Sequence, residues 1–167
     1  TGLEHRGAVS SDGRTGDGAG ILIEIPHQFF SKECEFDLPN PGEYAVGMLF
    51  LPQKTNQADH CIKAFEDEII NQKLKIIGWR DVPVNSKVVG SIASKSQPII
   101  KQVFITKEND NQNEKEFNLK LYLARKVAEN KIYSSPLSQK NFFYFSSLHN
   151  RTICLLYTSD AADDCRC

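Results

Sequence analysis

The sequence predicts an α/β protein of the α+β kind, and three features carry that reading. Short apolar, β-branched runs have the length of strands, two longer stretches repeat their apolar residues at helical spacing, and the two kinds alternate in the order β-α-β-β-α-β. A chain of 167 residues is long enough for one domain with a real core, or for part of one.

Residues 7–20, GAVSSDGRTGDGAG, hold five of the ten glycines beside Ser and Asp, a composition that favours turns and positive φ over regular structure. The run Ile21 to Ile25, ended by Pro26, reads as a buried strand, and Pro26 to Phe30 as the opening of a helix with proline at its first position. Tyr44 to Leu51, YAVGMLFL, is a strand bounded by Pro41-Gly42 before and Pro52 after. Asn56, with Asp59 three residues on, is placed to cap a helix whose Ala58, Cys61, Ile62, Phe65 and Ile69 face a core. Lys75–Arg80 and Lys101–Thr106 read as strands, with a loop containing Asp81-Val82-Pro83-Val84-Asn85 between them.

Asn109 to Asn113 is a polar turn before a second helix, in which Phe117, Leu121, Ala124 and Ala128 share a face, and Phe142–Leu148 closes as a strand. Residues 44–148 therefore follow the split ferredoxin-like order, in which two helices cover one face of an antiparallel sheet.

Composition excludes several function classes. Hydrophobic residues make up 40% and charged residues 25%, far from the signature of disorder. Net charge is -1 and the lysines are scattered among acids, so the electrostatic footprint of a nucleic-acid partner is missing. No stretch approaches the roughly 18 consecutive apolar residues of a membrane span, and the amino terminus has no basic start followed by an apolar run. Five cysteines, with Cys34 and Cys61 far apart in unlike contexts, do not suggest a secreted disulfide framework, which leaves the cytoplasm as the expected compartment. Met48 is the only methionine, so a chain beginning at Thr1 reads as processed or as a piece of something longer.

Few side chains suggest chemistry by themselves. Thr15 to Gly20 is glycine-rich like a phosphate cradle, but such loops lead from a strand into a helix, and this one leads into the Ile21 strand. Cys61 falls on the apolar stripe of its helix, and Cys34 has no basic neighbour in sequence to lower its pKa. Trp79 reads as packing, Arg80-Asp81 as a local ion pair or turn, and His27, His60 and His149 are too widely spaced to suggest a metal site. Taken alone, the ferredoxin-like stretch also admits a stand-alone α/β module that binds small ligands or pairs with itself.

HRGAVSSDGRTGDGAGILIEIPHQFF at residues 5–30, YAVGMLFLP at 44–52, GWRDVPV at 78–84 and KLYLARK at 120–126 together resemble the glutamine amidotransferase domain of the glutamate synthase family. The resemblance covers residues 1–153. It implies an αββα sandwich of the kind built by hydrolases with an amino-terminal nucleophile, and a chain that is an internal fragment of a larger enzyme. It further implies a cysteine whose thiolate attacks the amide of L-glutamine, with its own α-amino group as base, about 25 residues upstream of His5. Thr1, which as an amino-terminal threonine could also be a nucleophile, is not in that register.

In the family the arginine of HRG lies close to that cysteine, so Arg6 is expected to support the pocket, and a structural arginine bridging loop carbonyls is the competing reading. His5 is expected to pack or hydrogen-bond. The glycine loop is expected to pass tightly beneath the nucleophile with Asp17 fixing its turn. The ammonia would travel to synthase domains downstream in the same chain, which carry a flavin (FMN) and an iron–sulfur cluster. The fragment itself is expected to hold neither cofactor nor metal and to be inactive.

Residues 154–164, CLLYTSDAADD, break that resemblance where the family's strand would continue after Arg151-Thr152-Ile153. They resemble the translation of a transposase adapter used in preparing sequencing libraries. Residues 154–167 are therefore expected to be a non-native tail, disordered or only incidentally packed. The Cys165-x-Cys167 pair offers too few thiolates for a closed zinc site.

Overall fold

A computed structural model describes residues 20–108 and 113–156. Strand β2, Tyr44–Leu51, lies at the centre, and all eight of its residues are buried. Successive side chains of a strand point to opposite faces. Ala45, Leu49 and Leu51 accordingly join one core, and Tyr44, Val46 and Met48 another. The unbroken apolar run YAVGMLFL is what a strand covered on both faces requires.

Strand β2 pairs antiparallel with β4 (Ile99–Lys107) on one side and β5 (Tyr144–His149) on the other, and β4 pairs in turn with β3 (Leu74–Asp81). The resulting order, β3-β4-β2-β5, is that of a split ferredoxin-like sheet, as the sequence predicts. Helices α2 (Thr55–Asn71) and α3 (Glu114–Tyr133) cover one face. Ala58, Cys61, Phe65 and Ile69 from the first, and Phe117, Leu121, Ala124 and Ala128 from the second, are all buried in the same cluster. Gly47 makes room in the centre of this face: a Cβ there would lie 2.7 Å from Val103 Cγ1.

The ends of the helices differ from expectation in an informative way. Asn113 caps α3, its side chain accepting from the Glu116 backbone N–H at 2.9 Å, while the rest of the expected polar turn, residues 109–112, lies outside the described residues. Asn56 does not cap α2. That helix begins at Thr55 with Lys54 at its cap, two residues before Asn56, and the backbone N–H of Lys54 donates to Gln139 Oε1 at 3.0 Å. Gln57 donates to Ser138 Oγ, so the start of α2 is held by the segment that follows α3. Lys131 of α3 pairs with Glu68 of α2, a carboxylate only 3% exposed, which ties the two helices together. Strand β5 starts two residues later than predicted because Lys140–Phe142 forms a 3₁₀ turn.

The other face of the sheet is partly covered by a second layer. Strand β1, Gly20–Glu24, pairs antiparallel with β6, Thr152–Leu156, and helix α1, His27–Glu33, follows β1. Phe30 of α1 meets Phe104 edge-on at 5.1 Å, and Ile153 of β6 is fully buried in the same cluster. Pro26 sits at the cap of α1, one place before the first helical residue.

Strand β1 forms as predicted but is not buried: Ile21 and Leu22 are 48% and 64% exposed. Among the described residues its only strand partner is β6. Strand β6 also continues past Ile153, with Cys154, Leu155 and Leu156 paired to Leu22, Ile21 and Gly20. Ladder bonds come from the main chain, so this pairing makes no demand on side-chain identity. Residues 157–167 lie outside the described residues.

Candidate functional site

Gly20 opens β1 opposite Leu156, in the layer on the face of the sheet away from α2 and α3. Thr1, His5, Arg6 and the remainder of the loop, Thr15 to Ala19, lie outside the described residues.

A cavity of about 680 Å³ lies on that same face, between α1, the sheet and the segment after β3. Phe29, Phe30, Met48, Phe50, Val82, Val84, Val88 and Ile100 make most of its wall apolar, and Arg80, Gln102 and Asn85 supply polar groups. Arg80 does not pair with Asp81. Adjacent strand residues face opposite sides, so Asp81 pairs with Lys101 at 2.5 Å and Arg80 turns toward the second layer.

There Arg80 donates to the buried Gln102 Oε1 at 3.0 Å, pairs with Glu33 at 3.5 Å and lies 5.5 Å above the Phe29 ring. A shift of pairing register between Ile76 and Gly78 sets this side, leaving Trp79 on the helix face. Trp79 packs edge-on to Phe65 and donates to Glu66 at 2.8 Å. Among the described residues the lining holds no nucleophile, carboxylate or histidine.

A smaller cavity of about 230 Å³ is lined by Glu24, His27, Tyr44, Asn150 and Arg151 among others. His27 Nδ1 is 3.1 Å from the Tyr44 hydroxyl, and Ser31 Oγ donates to the His27 carbonyl at 2.9 Å. Burial pushes the Tyr44 hydroxyl up to about 12, with a smaller contribution from Cys34, so it remains protonated at neutral pH and is no general base. Because the folded value lies above the ordinary value of 10.0, the resulting stability is complete below that pH and is lost as pH rises through about 12. Melts followed by circular dichroism across this window should show that decline, and Tyr44→Phe should flatten it. An unchanged slope would remove Tyr44 as its cause.

Cys61 is fully buried, as its place on the helix predicts, and burial raises its thiol to about 11. The fold brings Arg80 near Cys34, but burial outweighs the arginine and the Cys34 thiol is raised, not lowered. His149 Nδ1 accepts from the Arg151 backbone N–H at 3.1 Å. Among the described residues no three His, Cys, Asp or Glu side chains gather as a metal site. Iron–sulfur clusters require gathered thiolates, and Cys34 and Cys61 lie on opposite sides of the sheet with Cys154 on β6, so these residues do not fit one. No helix among the described residues is long and apolar enough to cross a membrane.

The pattern described as glutamine amidotransferases class-II matches residues 1–160. The chain belongs to that family. It is 43% identical over 152 residues to the glutamate synthase (NADPH) large chain of Bacillus subtilis (strain 168), covering 90% of the chain and 10% of that relative. To the glutamate synthase (NADH) of Saccharomyces cerevisiae (strain ATCC 204508 / S288c) it is 42% identical over 163 residues, 90% of the chain and 7% of the relative. The ferredoxin-dependent glutamate synthase 2, chloroplastic, of Arabidopsis thaliana is 36% identical over 157 residues, with 90% and 9% covered. The chain thus spans a tenth or less of the length of these relatives. As a member of the class-II amidotransferases it has the mixed helix and antiparallel-sheet architecture of the layered α+β fold that the sequence resemblance implies.

Sequence reasoning missed the Arg80 arrangement because Glu33 and Gln102 lie 47 and 22 residues away. The available signal was a cation on the strand face opposite Trp79. His27 is likewise joined to Tyr44 across 17 residues.

Proposed function

We propose that this chain is part of a glutamine amidotransferase domain that, when complete, hydrolyses L-glutamine to glutamate and ammonia within a glutamate synthase. The family match over residues 1–160 carries this reading, and the names of the relatives support it. In the complete protein the ammonia passes to synthase domains of the same polypeptide for reductive transfer to 2-oxoglutarate. Those domains hold the FMN and iron–sulfur cluster, and the cytoplasm is the proposed location.

The nucleophile is a cysteine upstream of His5, Arg6 supports its pocket, and an asparagine-glycine pair downstream holds the oxyanion. The first cysteine of this chain is Cys34, well past HRG, so the 167-residue chain is itself inactive. Glutamate release from glutamine, compared between the chain, the complete domain and its Arg6→Ala form, tests the assignment. A complete domain without glutaminase activity would remove it.

We also propose that the adapter-like tail is non-native. Deleting residues 157–167 is then expected to move the thermal midpoint by less than about 2 °C, less than one kcal/mol in a chain of this size. Removing 154–156 as well should cost more, because three residues of β1 lose their ladder partners. A large loss from the shorter deletion alone would show that the tail contributes to the fold.

A further inference from the structure

Gln102, on the interior strand β4, is only 3% exposed, yet half of its amide is unused. Its Oε1 accepts from Arg80 at 3.0 Å. Arginine can only donate, so the atom it meets is the amide oxygen, and Nε2 with its two hydrogens has no hydrogen-bond partner among the described residues. Buried polar groups are nearly always hydrogen-bonded, because leaving one unmatched costs more than a typical hydrogen bond contributes.

Arg80 is also underused. A guanidinium carries five N–H donors, and this one makes a single hydrogen bond among the described residues. Glu33 lies at 3.5 Å, near enough to balance the charge but beyond an ordinary N–H···O distance.

Both side chains line the cavity of about 680 Å³ between α1, the sheet and the segment after β3. The other polar residues of the wall are engaged within that segment. Asn85 Oδ1 accepts from the Lys87 backbone N–H at 3.3 Å, and Gln97 Nε2 lies 3.1 Å from Ser86 Oγ. The rings of Phe29, Phe30 and Phe50 and the thioether of Met48 supply apolar wall.

This arrangement specifies a ligand by its chemistry. Unused N–H groups on Gln102 and Arg80 need an acceptor oxygen. Glu33 already balances Arg80, and among the described residues no other charged side chain lines the wall, so the acceptor carries no charge. Three rings and a thioether suit an aromatic body, and the volume falls in the range of about 300–1,000 Å³ typical of small-molecule sites. We propose that the cavity binds an uncharged aromatic carbonyl compound, whose oxygen accepts from Gln102 Nε2 and Arg80 and whose ring lies among Phe29, Phe30, Phe50 and Met48. A covering stretch of polypeptide fits less well, since it brings a backbone N–H with nearly every carbonyl to a wall where the side-chain oxygens of Gln102 and Asn85 are already engaged.

Photolabelling of the complete polypeptide with benzophenone, itself an uncharged aromatic ketone that bonds to nearby C–H groups under near-ultraviolet light, tests the proposal. Peptide mapping by mass spectrometry is expected to place the label on Met48 and on residues 82–88. Benzylacetone should compete for that labelling about tenfold better than hydrocinnamate, which has its shape but carries a carboxylate, or butylbenzene, which has no acceptor. Gln102→Glu keeps an oxygen for Arg80 and removes the N–H donors, so in a variant whose circular dichroism is unchanged the labelling should fall about tenfold. The competition needs no substitution and decides the matter if that variant fails to fold. An unlabelled cavity in the complete polypeptide would show it closed by the rest of the protein and overturn the proposal. Equal competition by all three compounds would reduce the site to apolar contact and overturn it too, as would undiminished labelling of a folded Gln102→Glu variant.

Discussion

Incubated with glutamine, the 167-residue chain is expected to release no glutamate, under conditions in which the complete domain turns over. Attack on an amide needs a nucleophile and a base, and in the proposed mechanism one amino-terminal cysteine supplies both. A thiol near pKa ~8.5 and an α-amine near ~8 are matched for proton transfer at neutral pH. No cysteine of this chain precedes HRG, and the two whose titration is perturbed point away from such a role. Cys61 is sealed in the core with its thiol raised to about 11, and burial raises Cys34 too. A raised thiol is a poorer source of thiolate.

The oxyanion donors matter as well, since removing one donor costs a factor of about 10²–10³. In the complete domain, Arg6→Ala should lower glutamine turnover on the order of tenfold, about 1.4 kcal/mol of barrier, by disturbing the cysteine's surroundings. Glutamate measured over time, with the chain, the complete domain and the variant at equal concentration, decides each point. Glutamine-dependent activity in the chain alone would refute the missing-nucleophile assignment, and an unimpaired Arg6→Ala domain would make Arg6 structural.

What the sequence disclosed about the fold follows from the range of the forces involved. Periodicity is local, and it placed β2 at its observed bounds and identified most of the buried faces of α2 and α3, although Ile62 is only partly buried and the buried Ile132 was not among the residues it named. Asn113 was legible as part of a polar turn because its partner, the Glu116 N–H, lies only three residues away. The cap of α2 was not legible, because Gln139 reaches Lys54 across 85 residues and Asn56 only offered a plausible local substitute. Burial of β1 was misread for a related reason. An apolar run announces a strand, but whether its faces are covered depends on which other elements reach it, and Leu22 has no covering layer among the described residues.

The candidate site was legible through family resemblance more than through residue chemistry. Motif spacing led to the class-II amidotransferases, while the pairing of Arg80 with Glu33 and Gln102 required the fold. Strand alternation alone would have ruled out an Arg80–Asp81 pair, since neighbours in a strand point to opposite faces.

Truncating Phe65 or Leu121 to alanine is expected to destabilise the chain by about 2–5 kcal/mol each, the largest stability effects among single core changes here. Both side chains are fully buried, one on α2 and one on α3, over the same face of the sheet. Phe65 lies 4.8 Å from Phe145 and 6.4 Å from Trp79 between ring centroids, so its removal leaves two aromatic partners facing a void. Leu121 sits within the α3 stripe of Phe117, Ala124 and Ala128, where the small alanines bring the helix close and leave little slack for collapse. The cost therefore combines lost transfer energy with a retained cavity. Leu119→Ala, two residues away but 56% exposed, should fall within about 0.5 kcal/mol in the isolated chain, because no packed partner is lost. Urea titrations of the three variants, with the slope checked for constancy, measure these differences. Neutral Phe65→Ala and Leu121→Ala variants would remove the shared helix layer, and a Leu119→Ala loss as large as theirs would show that the outer face of α3 is already packed within this chain.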